Sequence, residues 1–235
     1  MSSFEDPPFA VESFSGKARL FPLPNLVLFP HVMQPMHIFE PRYRDMLEDS
    51  LAGDRLVAMA LLAPGWETDY EGRPPLYPIA CLGRITAYFR LADGTYNVLL
   101  LGLRRVKLLY EVQSRRRFRE ARVEIHEDLY PPREIEQYDL LHDQLRKAFL
   151  RILPFLPEAQ EQLDQLIDTD VSLGMLTDII GYMLDIDLGK KQSLLAEIDV
   201  YRRTELLLKH LAAATEELED DNSGLNSFPP LFSAN

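Results

Sequence analysis

Any chemistry in this chain would have to come from five histidines, one cysteine and a run of arginines. His31 and His37 are the nearest pair, six residues apart around Met33 and Met36. On a strand they share a face but stand about 20 Å apart when fully extended, too far for one ion. His126, His142 and His210 are scattered, and no H-E-x-x-H occurs. The histidines therefore read as packing or solvent-facing residues, with no metal site. Cys81 is alone, in "YPIACLGRI", and reads as a small thiol buried in a strand. A phosphate-binding loop requires G-x-x-x-x-G-K-[ST]. Gly16-Lys17 has Val11 at the first glycine position, Gly189-Lys190 has Leu184, and neither pair is followed by Ser or Thr. A Rossmann glycine pattern and a G-x-S-x-G nucleophile elbow are also missing. These patterns predict a protein that is not an enzyme and carries no cofactor.

Two clusters remain, both suited to binding. The first is "SRRRFRE", where Arg115, Arg116, Arg117 and Arg119 surround Phe118. Basic residues interleaved with an aromatic can grip RNA backbone and bases. The bland reading, a charged edge kept soluble, is preferred, because Glu111, Glu120 and Glu124 lie close by. The second is "LFPLPNLVLFPHVMQPMHIFEPRY", very apolar yet broken by Pro22, Pro24, Pro30, Pro35 and Pro41. A Pro-bounded loop of Val27, Leu28, Phe29, Pro30, His31, Val32 and Met33 must either tuck into a core or present an apolar patch. Methionine is flexible and polarisable and suits promiscuous contacts. Trp66, in the loop "APGWETDYEGRPP", joins these seven as a candidate peptide-binding residue. The competing role is a plug, closing the end of a β structure or packed between two lobes.

The elements that would position these clusters change character along the chain. Residues 1–17 lack periodicity and read as a loose arm. From 18 to about 130 the pattern is mainly strand. "RITAYFRL" alternates, with Ile85, Ala87, Phe89 and Leu91 on one face. Asp93-Gly94 marks a hairpin, and "YNVLLLGL" returns as a strand with both faces covered. Separate strands are expected at 20–23, 36–39, 55–62, 105–112 and 119–127. One helix interrupts them, with Pro41 in its first turn and Gly53 as the expected C-cap. After Pro131-Pro132 the period becomes helical. Helices are expected over 133–152, 158–167 and 172–184 and in two segments beyond, N-capped by Asp187 and Asp199. Residues 217–235 read as a disordered acidic tail.

Charge follows the same division. Residues 1–130 hold 16 basic and 17 acidic side chains, against 9 and 20 in 131–235, so nearly all of the net charge of −12 sits in the helical part. Such a balance disfavours nucleic acid as a partner. No stretch approaches the roughly 20 apolar residues that span a bilayer, and the acidic, Pro-broken start resembles no leader, so the cytoplasm is the expected compartment.

"LFPLPNLVLFPHVMQPMHIFEPRYRDML" resembles the opening of the Lon N-terminal domain, the substrate-recognition domain of the ATP-dependent Lon protease. The middle of the chain is similar too, with Gly83, Ile85, Asp93, Gly94, Val98, Gly102 and Arg105 in the family's "G-x-[IV]…DG…V…L-G-x-x-R" pattern. "LTDIIGYMLDIDLGKKQSLLAEIDVYRRTELLLKHL" resembles the family's helical stretch, and the likeness runs over about residues 18–213. It implies an α+β protein: a PUA-like β pseudo-barrel over 18–130, then an all-α bundle over 131–216. Without the ATPase and protease motifs, it implies a standalone, non-catalytic module that recognises unfolded polypeptide. Such a module would bind exposed apolar segments, or serve as an adaptor to a protease or other protein machine in quality control. The PUA-like fold also keeps an RNA-binding alternative in view.

Overall fold

The computed structural model describes residues 11–70, 72–132, 135–152 and 171–225. The helix expected over 158–167 lies outside them. Six strands form one sheet: β1 Lys17–Leu23, β2 Met33–Ile38, β3 Leu56–Leu61, β4 Ile79–Arg90, β5 Tyr96–Val112 and β6 Glu120–Ile125. Their order is β2-β5-β4-β3-β1-β6, and β6 pairs again with β5. The last pairing closes five strands into a barrel and leaves β2 as a flap on its edge. All neighbours are antiparallel except β1 and β3, which run parallel. That parallel pair requires a crossover, supplied by helix α1, Pro41–Leu51.

The barrel is narrow and its filling is small. Ala18, Ala58, Ala60, Ala80 and Ala121 meet Leu20, Leu82 and Val106 in a cluster of their own. Alanine is what a five-stranded interior has room for, with leucines at intervals to take up the taper.

Among the described residues four further helices, α2 Ile135–Ile152, α3 Leu173–Met183, α4 Leu188–Ala196 and α5 Val200–Leu225, belong to the helical part. Asp187 and Asp199 cap as expected. Asp187 accepts from Lys190 N at 2.8 Å, and Asp199 accepts from Tyr201 N at 3.0 Å. Ser172 caps α3 through Met175 N. The expected boundary near 130 separates types of secondary structure but not cores. Phe21 and Phe29 from the barrel side share one buried cluster with Leu145, Ile180, Leu194 and Leu207.

Several expectations change on contact with the fold. The stretches 96–103 and 105–112 are one continuous strand, because β5 serves β2 with its first half and β6 with its second. A bulge between Ile85 and Ala87 breaks the alternation of β4, so Phe89 is exposed where the pattern turns it inward. Gly53 is not the left-handed residue after α1; Arg55 is, at φ 59°. Finally, α5 continues to Leu225, through the first part of the tail expected to be disordered. The Ala- and Glu-rich run from Ala212 onward favours helix strongly enough to carry it that far.

Candidate functional site

The apolar loop between β1 and β2 does not form the patch that its composition suggests. Val27, Leu28, Phe29 and Val32 are buried, with Phe29 fully so, and Pro30 is buried with them. These residues take the other role open to the loop, a plug between two lobes: they are the joint between barrel and helices. Gly102 of β5 makes the close approach possible. A Cβ there would stand 2.0 Å from the Phe29 carbonyl oxygen. The loop backbone is tied to the same glycine, by His31 N to Gly102 O and Gly102 N to Val32 O, both 2.8 Å. On its other side the Phe29 ring meets Gly181 of α3, where a Cβ would lie 3.5 Å from it. His31 itself is exposed, at a left-handed φ of 66°.

Beneath this joint lies a buried ionic network that the residue patterns did not reveal. Arg105 of β5 forks onto Asp178 of α3, through Nη1 at 3.0 Å and through Nη2. Its Nε donates to the Leu195 carbonyl of α4 at 2.9 Å. Arg203 of α5, wholly buried, grips Asp128 through Nη1 at 2.9 Å and Nη2 at 2.5 Å, and Thr177 Oγ1 through Nε at 2.9 Å. Burial alone would raise the Asp128 carboxyl. The Arg203 hydrogen bond and the charges of Arg105 and Arg203 outweigh it and hold the pKa below the ordinary carboxylate range. Every charge in this network has a partner, and the network joins both parts of the molecule; its role is architectural.

The basic cluster is also absorbed into structure. Arg119 is buried, paired with Glu111 and donating to Pro74 O at 2.9 Å. Arg116 pairs with Asp49 and covers the Phe118 ring, and Arg117 reaches Asp45 at 3.8 Å. Arg115 is exposed. Three of the four cations offered for a nucleic-acid surface thus already face carboxylates.

What remains open lies one strand further on. Met33, Pro35 and His37 sit on one face of β2, and all three are exposed. Beyond the strand end, Phe39 is 61% exposed and stacks on His37, with ring centroids 6.1 Å apart. Across the sheet, Asn97 pairs with His37 on one side and Phe89 on the other, and Phe89 is 66% exposed. Beside the strand runs an open groove of about 480 Å³. Leu23, Pro24 and Leu26 form one wall, residues 35–39 of the β2 segment another, and Phe21, Tyr43 and Tyr70 are in contact with it.

The Tyr70 side of the groove is pinned in place. Glu40 accepts from Tyr70 Oη at 2.8 Å and from Arg42 Nε at 2.9 Å. The Arg42 guanidinium lies over both Tyr43 and Tyr70, 4.7 and 4.6 Å from the ring centres. Burial raises the Tyr70 phenol, and its bond to Glu40 raises it further, so the hydroxyl stays a donor. Trp66 packs edge-on against Tyr70, at 5.6 Å between centroids, and so supports this wall without lining the groove.

Of the apolar residues that the sequence offers for a patch in the 27–33 loop, Met33 is the exposed one. Sequence reading misses Phe39, Tyr70 and Phe89. The missed signal is Pro35 within β2: proline in a strand marks a free edge, and a free edge is where exposed apolar residues carry information.

Among the described residues no group of three or more His, Cys, Asp or Glu is placed to hold a metal ion. Burial pushes the Cys81 thiol far up, so it stays protonated and inert. Among the described residues no helix is long and apolar enough to cross a membrane.

A small closed barrel with a flap strand, fused to a helical bundle through one shared core, defines an α+β protein of PUA-like β architecture. A family model described as the ATP-dependent protease La (LON) substrate-binding domain matches residues 17–213. The chain belongs to that family. It is 24% identical over 211 residues to a Lon protease of Anaeromyxobacter dehalogenans, covering 90% of this chain and 25% of that protein. It is 28% identical over 205 residues to Lon protease 2 of Sorangium cellulosum, covering 85% of this chain and 25% of that one. The chain thus spans about a quarter of the length of these relatives. Two solved structures share the fold. One is a Lon N-terminal domain protein from Xanthomonas campestris (TM-score 0.61, 24% identity, 82% of this chain and 97% of that one). The other is the N-terminal domain of a Mycobacterium avium complex Lon protease (TM-score 0.64, 18% identity, 83% and 98%). The matched family is that of the substrate-binding domain, not of the ATPase or protease domains.

Proposed function

We propose that this chain is a non-catalytic recognition module for exposed apolar segments of unfolded or partly unfolded polypeptides. It serves as an adaptor in protein quality control, holding such segments for a protease or another protein machine. Membership of a substrate-binding family supports the general role. The observation that carries the specific reading is the open groove beside β2, lined by Leu23, Leu26, Met36 and Phe39, with Phe39 61% exposed and Met33 exposed farther along the same strand. Singly exposed apolar residues are ordinary; several along one groove mark an interaction surface.

The test is capture of a reduced, alkylated globular protein by the wild-type chain and by Met33→Asp/Phe39→Asp. Native capture by the wild type, lost in the double variant with an unchanged far-UV spectrum, supports the proposal. Equal capture by both sinks it.

A further inference from the structure

We infer that the groove takes its ligand as an added β-strand, pairing with the outer edge of β2 at His37, and that it selects apolar segments flanked by lysine or arginine. The inference rests on the peptide-binding reading above and specifies its mode and its charge preference.

The edge is free in the required sense. Among the described residues β2 ends the sheet, with β5 as its one strand neighbour. In an antiparallel ladder, alternate residues turn both main-chain groups toward the partner and the others turn them away. Pro35 identifies the outward set. It has no N–H to give β5, and its carbonyl accepts from Gln34 Nε2 at 2.8 Å. Its ladder partner Leu99 likewise directs its carbonyl away from β2, accepting from Thr86 Oγ1 on β4 at 3.1 Å. By the same alternation the N–H and C=O of His37 face outward, and His37 lines the groove. Outside the ladder, no backbone hydrogen bond among the described residues reaches 33–38.

The other half of the edge is closed. Gln34 covers Pro35 and is itself held by Tyr182 Oη at 2.5 Å. An incoming strand is thereby confined to the His37–Phe39 end, where apolar walls flank it. The pairing is short, so side chains in the groove must supply most of the affinity while the main chain fixes register.

The charge preference follows from the rim. Among the described residues Glu40 is the one acidic residue lining the groove and no lysine or arginine lines it, but Glu40 is itself paired with Arg42 at 2.8 Å, so the preference rests on the charges beyond it. The Tyr70 wall continues from Glu67 and Asp69, both exposed. The Asp69 carboxylate accepts the main-chain N–H of Arg73 at 3.2 Å. A cation flanking the apolar segment meets the Glu67 and Asp69 carboxylates, whereas an anion is repelled.

The experiment is fluorescence anisotropy with a short unstructured peptide, its Val/Phe/Leu centre flanked by lysines. Two derivatives are N-methylated at alternate residues along one edge or the other, and a third carries aspartate flanks. Strand addition predicts about tenfold weaker binding for one methylated edge and little change for the other, the loss expected from a main-chain hydrogen bond. The aspartate-flanked peptide binds more weakly, and Glu67→Lys/Asp69→Lys reverses that order. Binding that is abolished by Phe39→Asp but indifferent to both methylated edges overturns strand addition and leaves the peptide-binding reading standing. Loss of the flank preference alone overturns the charge selection. No binding of any peptide overturns both.

Discussion

Residues 27–32 and 33–39 are neighbours in sequence and alike in composition, each rich in apolar side chains and each containing proline. Their fates are opposite. The first stretch, His31 apart, is buried in the joint between barrel and helices, while residues 35–39 of the second line an open groove with Ile38 alone among them buried. The difference lies in what stands opposite. Gly102 and Gly181 give the first stretch two surfaces close enough to pack on. The second has β5 on one side and open space on the other. Apolar composition alone does not mark a binding surface; apolar residues left uncovered by a fold that has buried its other apolar stretches do.

This contrast can be broken by experiment. The largest effect belongs to Phe29→Ala, which leaves a cavity where three elements meet and should cost about 3–5 kcal/mol in denaturant unfolding. An unchanged midpoint would mean that the joint is not load-carrying and that the contrast fails. Next is Gly102→Ala, whose new methyl must displace the Phe29 backbone. It should destabilise by about 3 kcal/mol, the upper part of the overpacking range, and lower the midpoint without altering the slope.

A third measurement separates the joint from the groove by pH. The folded-state pKa of Asp128 is depressed, so below the ordinary carboxylate value of about 3.9 the unfolded chain binds the extra proton. The stability that Asp128 contributes is whole above that value and is lost as pH falls through the folded pKa. Asp128→Asn should therefore be less stable at neutral pH and show a shallower loss of stability through the acid range. An identical acid profile would remove Asp128 from the joint. The smallest effect on stability is expected at Phe39→Asp, within about 0.5 kcal/mol of wild type, although it abolishes capture of unfolded protein. A large destabilisation there would show that Phe39 is core, and the contrast would collapse from the other side.

Much of the architecture was legible before folding was considered. Pro41 announces α1, Asp93-Gly94 announces the β4–β5 hairpin, and Asp187 and Asp199 announce two helix starts, because each signal acts within a few residues. The readings that failed depend on distant partners. The residues near Leu28 and Phe29 leave a plug and a patch equally open, because what decides between them is the helices that cover the loop. β5 was divided in two because its partners change midway, from β2 to β6, and that change is invisible in its own residues. Arg105 stands in the family pattern, but its burial against Asp178, 73 residues away, is a property of the fold alone.

The pairing of β1 carries a consequence for how the molecule is made. One side of β1 is satisfied by β3, soon after in the chain, while the other waits for β6, Glu120–Ile125, about a hundred residues later. At ribosomal rates of about 5–20 residues per second, that edge stays open for about 5–20 s during synthesis. Throughout that interval the nascent chain displays an unpaired strand beside an alanine-lined trough, an exposed apolar segment of the kind the finished protein is proposed to hold.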